Sequence, residues 1–506
     1  MTPRTTPHAA AAALLDHWRV SAALGQIGGV LMWDQETMMP AAGLAQRAEQ
    51  VAALEAVSHA RATDPRLGEW LAVLEADMPD DPVMAANVRL ARRGHDQAVL
   101  IPERLATETA RVTATGQAAW AEARSRSDFA AFAPHLARIV SLKREAAQCL
   151  SSGLEEEGTG HYDALLDQFE PHMRTAVLRP LLESMRPRLS ALRAAIADAG
   201  PAPTLDGPFD TNAQMAFARE VAGAMGYDFE AGRLDLSVHP FSSGTMGDAR
   251  ITTRLDADDP LGCLYSTIHE LGHAIYEQNL PRAIAFQPAC HHVSMGVHES
   301  QSRLWENQVG RGRAFAEWLW PRFRDAVGSG GLGSADDFHR AVNRVETGFI
   351  RTEADEVHYN LHVLMRFELE EALVEGRLEV ADLEGAWNET FARDFGRTPP
   401  DAAHGVLQDV HWSAGLFGYF PTYSLGNVYA AQLFAAMRAD VPDLEEGLAS
   451  GDCKPCKGWL TRNVHRHGAV SRPAELMERA ARAPVSAEPL LTYLEEKYAA
   501  LYGLSL

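Results

Sequence analysis

Cysteine is scarce in this sequence. Five thiols in 506 residues (Cys149, Cys263, Cys290, Cys453 and Cys456) make an odd set without framework spacing. That excludes a disulfide-stapled fold and points to a reducing compartment, the cytoplasm. Long apolar runs are missing as well: none approaches the roughly 18–20 residues that a membrane helix needs. Positive charge is in deficit, with 46 Lys and Arg against 68 Asp and Glu and a formal net charge of −22. The chain therefore has no broad cationic surface for a phosphate backbone, and nucleic acid is excluded as a partner. The acidity itself reads as a well-solvated surface. Gly (39) and Pro (27) stand at ordinary levels, which excludes collagen-like and disordered classes. Arg4 precedes a short apolar stretch, Ala9 to Leu15, but Asp16 and His17 end it without a small-residue cleavage site. It reads as the start of an amphipathic helix and not as an export signal.

What is present is a chain long enough to bury a large core, with 46% apolar residues. Length alone allows two to four domains. No repeat, low-complexity tract or linker interrupts the chain, so residues 1–506 read as a single domain. Ala9 to Leu24, Ala41 to Ser58, Phe129 to Ser151 and Thr175 to Ala199 carry the 3.6-residue period of helices. One region departs from it. Leu234, Leu236 and Val238 alternate with Arg233, Asp235 and Ser237, and Ile251, Thr253 and Leu255 alternate with Arg250, Thr252 and Arg254. This predicts two antiparallel strands joined by a loop from His239 to Asp248. The expected fold class is mainly α with one small antiparallel sheet next to the helix that follows.

That helix, Leu264 to Asn279, contains His269-Glu-Leu-Gly-His273, an H-E-x-x-H match. Two imidazoles at i and i+4 lie one above the other and reach two positions on a tetrahedral zinc. The adjacent glutamate is placed to accept a proton from an activated water. With 20 histidines in the chain, such a match arises by chance in roughly one chain in twenty. The helical wheel adds weight. Leu264, Ile268, Leu271 and Ile275 fall in a stripe about 60° wide, and the histidines sit about 140° from its centre. A catalytic zinc needs a third protein ligand. Gln278 and Asn279 occupy the region where an extended H-E-x-x-H-x-x-G-x-x-H motif would supply it. The stretch His292 to Val309 reads as another helix, with Val293, Val297 and Leu304 on its apolar stripe and Glu299 nearly opposite. Packed antiparallel on the first, it would bring Glu299 beside the histidines. His291 and His292 compete for the same role, and His298 suits substrate contact or support of a ligand.

A second i, i+4 pair, His358 and His362, lacks the glutamate, since Tyr359 follows the first histidine. The plainer reading is a polar pair lining a cleft. Arg351 and Asp355 are expected on the same face, where the arginine either anchors a substrate carboxylate or forms a structural salt bridge. Cys453-Lys-Pro-Cys456 is a lone CxxC and reads as incidental. Gly405 to Tyr423 crowds glycines and aromatics without periodicity, as in a loop over a site. His411, Tyr419 and Tyr423 are its candidate donors to a developing oxyanion.

Taken together, these stretches resemble the Taq-type metallocarboxypeptidases, family M32, over nearly the whole chain. The similarity runs from Trp33-Asp-Gln-Glu-Thr-Met-Met-Pro40 to Tyr493-Leu-Glu-Glu-Lys-Tyr498. Between them, in family order, stand His239-Pro-Phe241, Asp248-Ala-Arg-Ile-Thr252, His269-Glu-Leu-Gly-His273, His298-Glu-Ser300, Ile350-Arg-Thr-Glu-Ala-Asp355 and Gly405-Val-Leu-Gln-Asp-Val-His-Trp412. The resemblance implies a helical, two-lobed peptidase with a deep central groove and a single catalytic domain, working as a homodimer. It implies release of single amino acids from peptide C-termini with broad specificity. His269, His273 and Glu299 match the family's metal ligands, with one zinc, or cobalt, per subunit. Glu270 matches the general base. Arg351, Arg250, His239 and His411 are implied around the substrate's C-terminal end. By analogy with neurolysin-type oligopeptidases and angiotensin-converting enzyme, His411, Tyr419 or Tyr423 holds the oxyanion. His358 departs from the small polar residue expected there.

Overall fold

The computed structural model describes residues 6–154 and 159–505 and is mainly helical, with one sheet of three short strands. The chain divides into two compact units. Met1–Val99, Pro203–Val342 and Leu433–Pro484 make the first, and Leu100–Ala202, Asn343–Gln432 and Val485–Leu506 the second. Each unit is thus interleaved in sequence with the other, which is why no linker shows in the composition.

Capping chemistry sets the helix starts. In the helix Pro7–Thr37 the Thr6 hydroxyl accepts the Ala9 N–H and Pro7 takes the first helical position, so Ala9 to Leu15 is helical. Phe129–Ser151 has the expected bounds, with Asp128 as its cap. The helix expected from Ala41 runs from Leu44 to Ala62 after a single 3-10 turn. Thr175 to Ala199 is split into Thr175–Glu183 and Met185–Asp198, since Pro180 and Pro187 each remove an N–H from the ladder. No described helix is long and apolar enough to cross a membrane, and all five cysteines are unpaired.

The sheet corrects one expectation. Its strands are β1 (Leu234–Leu236), β2 (Ser242–Thr245) and β3 (Asp248–Thr253), in the order β1-β3-β2. β1 runs parallel to β3, pairing Leu234 with Ile251. The antiparallel partner of β3 is β2, which lies inside the stretch expected to be a loop. Ser242-Ser-Gly-Thr245 has no apolar alternation, so hydropathy could not reveal it. The turn is made by Met246 at φ 44° and by Gly244 at φ 84°, where a Cβ would lie 1.9 Å from the Asp248 carbonyl oxygen.

β3 leads into the helix Pro260–Gln278, whose start is capped by the Asp259 carboxylate. The Thr253 hydroxyl ties strand to helix, donating to the Cys263 carbonyl at 3.0 Å. Leu264, Ile268, Leu271 and Ile275 are buried, as the wheel requires. The rest of the helix is largely buried too, because a second helix, Met295–Arg303, crosses it. The crossing is close at Gly272, where a Cβ would stand 2.6 Å from both the Gln301 carbonyl oxygen and the Ser302 Cα. This second helix starts at the Ser294 cap, past His291 and His292, and continues as the π-helical stretch Leu304–Gly310.

Gly272→Val therefore forces the two helices apart. We expect a loss of about 1–3 kcal/mol, read as a lower urea midpoint, together with weaker metal retention. An unchanged midpoint would show that the crossing is not tight.

Candidate metal centre

The first unit brings three of the expected residues to one point. One helical turn sets the His269 and His273 rings 5.1 Å apart. The close crossing at Gly272 then delivers Glu299, whose Oε2 lies 3.7 Å from His269 Nε2 and 3.4 Å from His273 Nε2. A tetrahedral cation with bonds of about 2.0–2.1 Å separates its donors by roughly 3.3 Å, so the three atoms fit one ion. The other nitrogen of each ring is held elsewhere. His269 Nδ1 meets Glu306 Oε2 at 2.9 Å, and His273 Nδ1 meets His298 Nδ1 at 2.6 Å. Both Nε2 atoms are thereby oriented toward Glu299, as supporting partners of metal-bound histidines do.

Glu299 is buried, 6% exposed. Burial works against its charge. The Arg303 guanidinium, donating from Nε to Oε1 at 2.7 Å, and the adjoining imidazoles outweigh burial and hold the carboxyl well below its ordinary range. The Ser302 hydroxyl adds a bond to Oε2 at 3.1 Å. Glu306, its side chain 12% exposed, is held down to about 2, with Arg303 and His269 overcoming its desolvation. Glu270 behaves oppositely. Burial pushes it up to about 7, with His269 and a hydrogen bond from Ser242 of β2 partly opposing. A carboxyl poised near neutrality beside a metal-ligand set suits proton transfer.

His291 and His292 precede the second helix, and Glu299 is the residue that lies beside the His269–His273 pair. His298 stacks on His273 with ring centroids 4.5 Å apart. His239 is exposed in the bend between β1 and β2, its carbonyl accepting the Ser237 hydroxyl. Arg250 lies on β3, held by both carboxylate oxygens of Asp248 at 2.7 and 2.8 Å and stacked over Trp33. It lines a cavity of about 470 Å³ between β2 and the helix Pro7–Thr37.

The second unit gathers the remaining expected residues around a carboxylate that sequence reasoning did not single out, Asp409. Arg351 donates from Nε to Asp409 Oδ1 at 2.9 Å and from Nη1 to the Tyr359 hydroxyl at 3.1 Å. Its guanidinium lies 4.7 Å over the Tyr423 ring. Arg366 takes the other oxygen of Asp409 at 2.7 Å. His411 shares a hydrogen bond with the Tyr423 hydroxyl at 3.0 Å, and Tyr419 packs on both rings. Burial, reinforced by the Arg351 charge, lowers His411 to about 3 and keeps it neutral.

His358 and His362 line no cleft: they are 1% and 0% exposed. Both nitrogens of His358 are used, by Asp355 at 2.8 Å and Thr347 at 3.1 Å, and His362 packs on Phe395. Arg351 sits in a 3-10 turn ahead of their helix, Glu356–Val374, and its carboxylate partner is Asp409 instead of Asp355. Cys453 and Cys456 are buried, and burial pushes both thiols up, Cys453 to about 12, as expected of inert core residues.

Comparison with known proteins agrees with this arrangement. Residues 13–498 match the sequence profile described as Carboxypeptidase Taq (M32) metallopeptidase. Thermostable carboxypeptidase 1 of Thermus thermophilus is 46% identical over 98% of this chain and 100% of its own length. Carboxypeptidase 1 of Bacillus subtilis is 37% identical over 94% and 95%. The crystal structure of the M32 carboxypeptidase from Deinococcus radiodurans superimposes with a TM-score of 0.93 at 39% identity, covering 97% of this chain and 99% of that one. With the helical fold and the histidine–carboxylate cluster already in place, the chain belongs to the M32 metallopeptidase family and is a metallocarboxypeptidase.

Proposed function

We propose that this enzyme is a zinc-dependent carboxypeptidase releasing single C-terminal residues with broad specificity. His269, His273 and Glu299 hold the cation, and Glu270 is the general base. The convergence of His269 Nε2, His273 Nε2 and Glu299 Oε2 carries the reading. Nitrogen and carboxylate donors suit zinc and also admit cobalt. Bound there, such a cation supplies Lewis acidity for a scissile carbonyl and for water. Glu270 takes the proton of the attacking water and returns it to the leaving amine. Ser242 holds Glu270 from β2, an edge strand of the sheet, and the cavity beside that strand offers room for an extended peptide segment.

Recognition of a free C-terminus is assigned to Arg351. Arg351 and Arg366 are both buried and share one carboxylate, while His411 stays neutral, so the cluster carries one surplus positive charge. A buried unmatched charge is costly, and a terminal carboxylate neutralises it. His411, Tyr419 and Tyr423 supply the donors for the oxyanion, and His239, Arg250 and His298 complete the substrate-binding set.

The five unpaired thiols favour a reducing compartment such as the cytoplasm. Exposed apolar side chains on the helices Pro7–Thr37 and Leu44–Ala62, among them Val20, Met32, Leu44, Val51 and Val57, favour a homodimer. Sedimentation at twice the monomer mass checks this, and a monomer at micromolar concentration would overturn it.

Glu299→Ala is expected to lose tightly bound metal on dialysis. Glu270→Gln should keep the metal and lose about 10²–10⁴-fold in kcat. The base must be ionised, so kcat/KM falls as pH drops through the Glu270 pKa. That value lies at or below about 7, because the cation favours the carboxylate. Full activity of Glu270→Gln would remove Glu270 from the chemistry. For Arg351→Ala we expect kcat/KM on free-acid peptides to fall by about 10²-fold, with C-terminally amidated analogues little changed. Undiminished cleavage of free acids would refute the anchor.

A further inference from the structure

A second group of the same composition lies on the far side of His273. Glu277, two helical turns beyond His269 on the helix Pro260–Gln278, presents Oε1 to His292 Nδ1 at 3.0 Å and to His298 Nε2 at 3.1 Å. Potential ligand atoms of these three residues all lie within 4.8 Å of one another, the same measure that the catalytic cluster meets. Side-chain exposures of 13% for Glu277, 12% for His298 and 34% for His292 leave an approach through His292. Two imidazoles on one carboxylate oxygen are the donor set of a zinc-class cation, one protein ligand short of closed four-coordination.

We propose that Glu277, His292 and His298 form a second, regulatory site for a zinc-class divalent cation, antagonistic to the first. The antagonism rests on the reading of His273 as a catalytic ligand. With its Nε2 on the catalytic cation, neutral His273 keeps its proton on Nδ1 and donates it to His298 Nδ1 across 2.6 Å. His298 then carries its own proton on Nε2, toward Glu277. A cation at the second site needs that Nε2 lone pair, so the proton moves to Nδ1. Two N–H groups then face each other across the same gap. Filling either site weakens the other, and excess metal inhibits by loosening His273.

Zinc titration of the intact enzyme against a chromophoric chelator tests this, with cobalt absorption as a second readout. The expected result is two classes of site, the weaker one filling as activity falls. His292→Ala should retain only the tight class and raise the half-inhibitory zinc concentration at least about tenfold, since a lost outer-shell partner alone costs 10–100-fold. Glu277→Gln, which still accepts a hydrogen bond from His298, should likewise lose the weaker class. One equivalent in the unmodified enzyme, or two classes surviving in both variants, would overturn the proposal. Failure of the catalytic reading is seen separately, as tight zinc retained by Glu299→Ala.

Discussion

A carboxylate buried against two imidazoles is the constraint from which the metal centre follows. Desolvating Glu299 costs several kcal/mol unless its charge is met. Arg303 meets it on one oxygen and Ser302 on the other, and Arg303 also reaches Glu306 at 3.3 Å. Arg311 takes the second oxygen of Glu306 at 3.4 Å. Glu299 and Glu306 thus each have a guanidinium before any cation arrives. His269, His273 and Glu299 are held in place by neighbours of the folded protein alone.

Equal spacing on a helix does not make equal sites. His269 and His273 share the i, i+4 relation of His358 and His362, yet their fates diverge because of what each ring's nitrogens meet. In the first pair one nitrogen per ring is fixed by a neighbour and the other is left facing Glu299. In the second, Asp355 and Thr347 consume both nitrogens of His358, and Arg366 Nη1 faces His362 Nδ1 at 3.3 Å. A guanidinium beside that ring repels any cation. The third ligand and the sign of the neighbouring charge decide, and the spacing is only a precondition.

This divides what was legible in the sequence from what was not. Periodicity exposed the long helices, the buried stripe through Leu264 and Ile275, and the place of Glu299 on the next helix. The resemblance carried in order by the short motifs named the family. β2 stayed hidden because Ser242 to Thr245 has no apolar alternation and its turn depends on Gly244. Gly272, Glu306 and Asp409 stayed hidden for a different reason: each acts through a partner distant in sequence. Gly272 in mid-helix and Glu306 two turns after Glu299 were visible signals, but their meaning lies in the crossing of two elements.

The two polar clusters are balanced in opposite ways. Around Glu299 and Glu306 the fixed charges already cancel, so an added dication leaves positive charge where Glu270, raised to about 7 by burial, is drawn toward its ionised form. Around Asp409 the fixed charges do not cancel. Two guanidiniums face one carboxylate, among aromatic rings that exclude water. A binding protein gains from recognising an anion but has no use for a carboxyl held at the threshold of ionisation beside a metal-ligand set. The proposed removal of C-terminal residues calls on each imbalance, Glu270 for the proton and Arg351 for the terminal carboxylate.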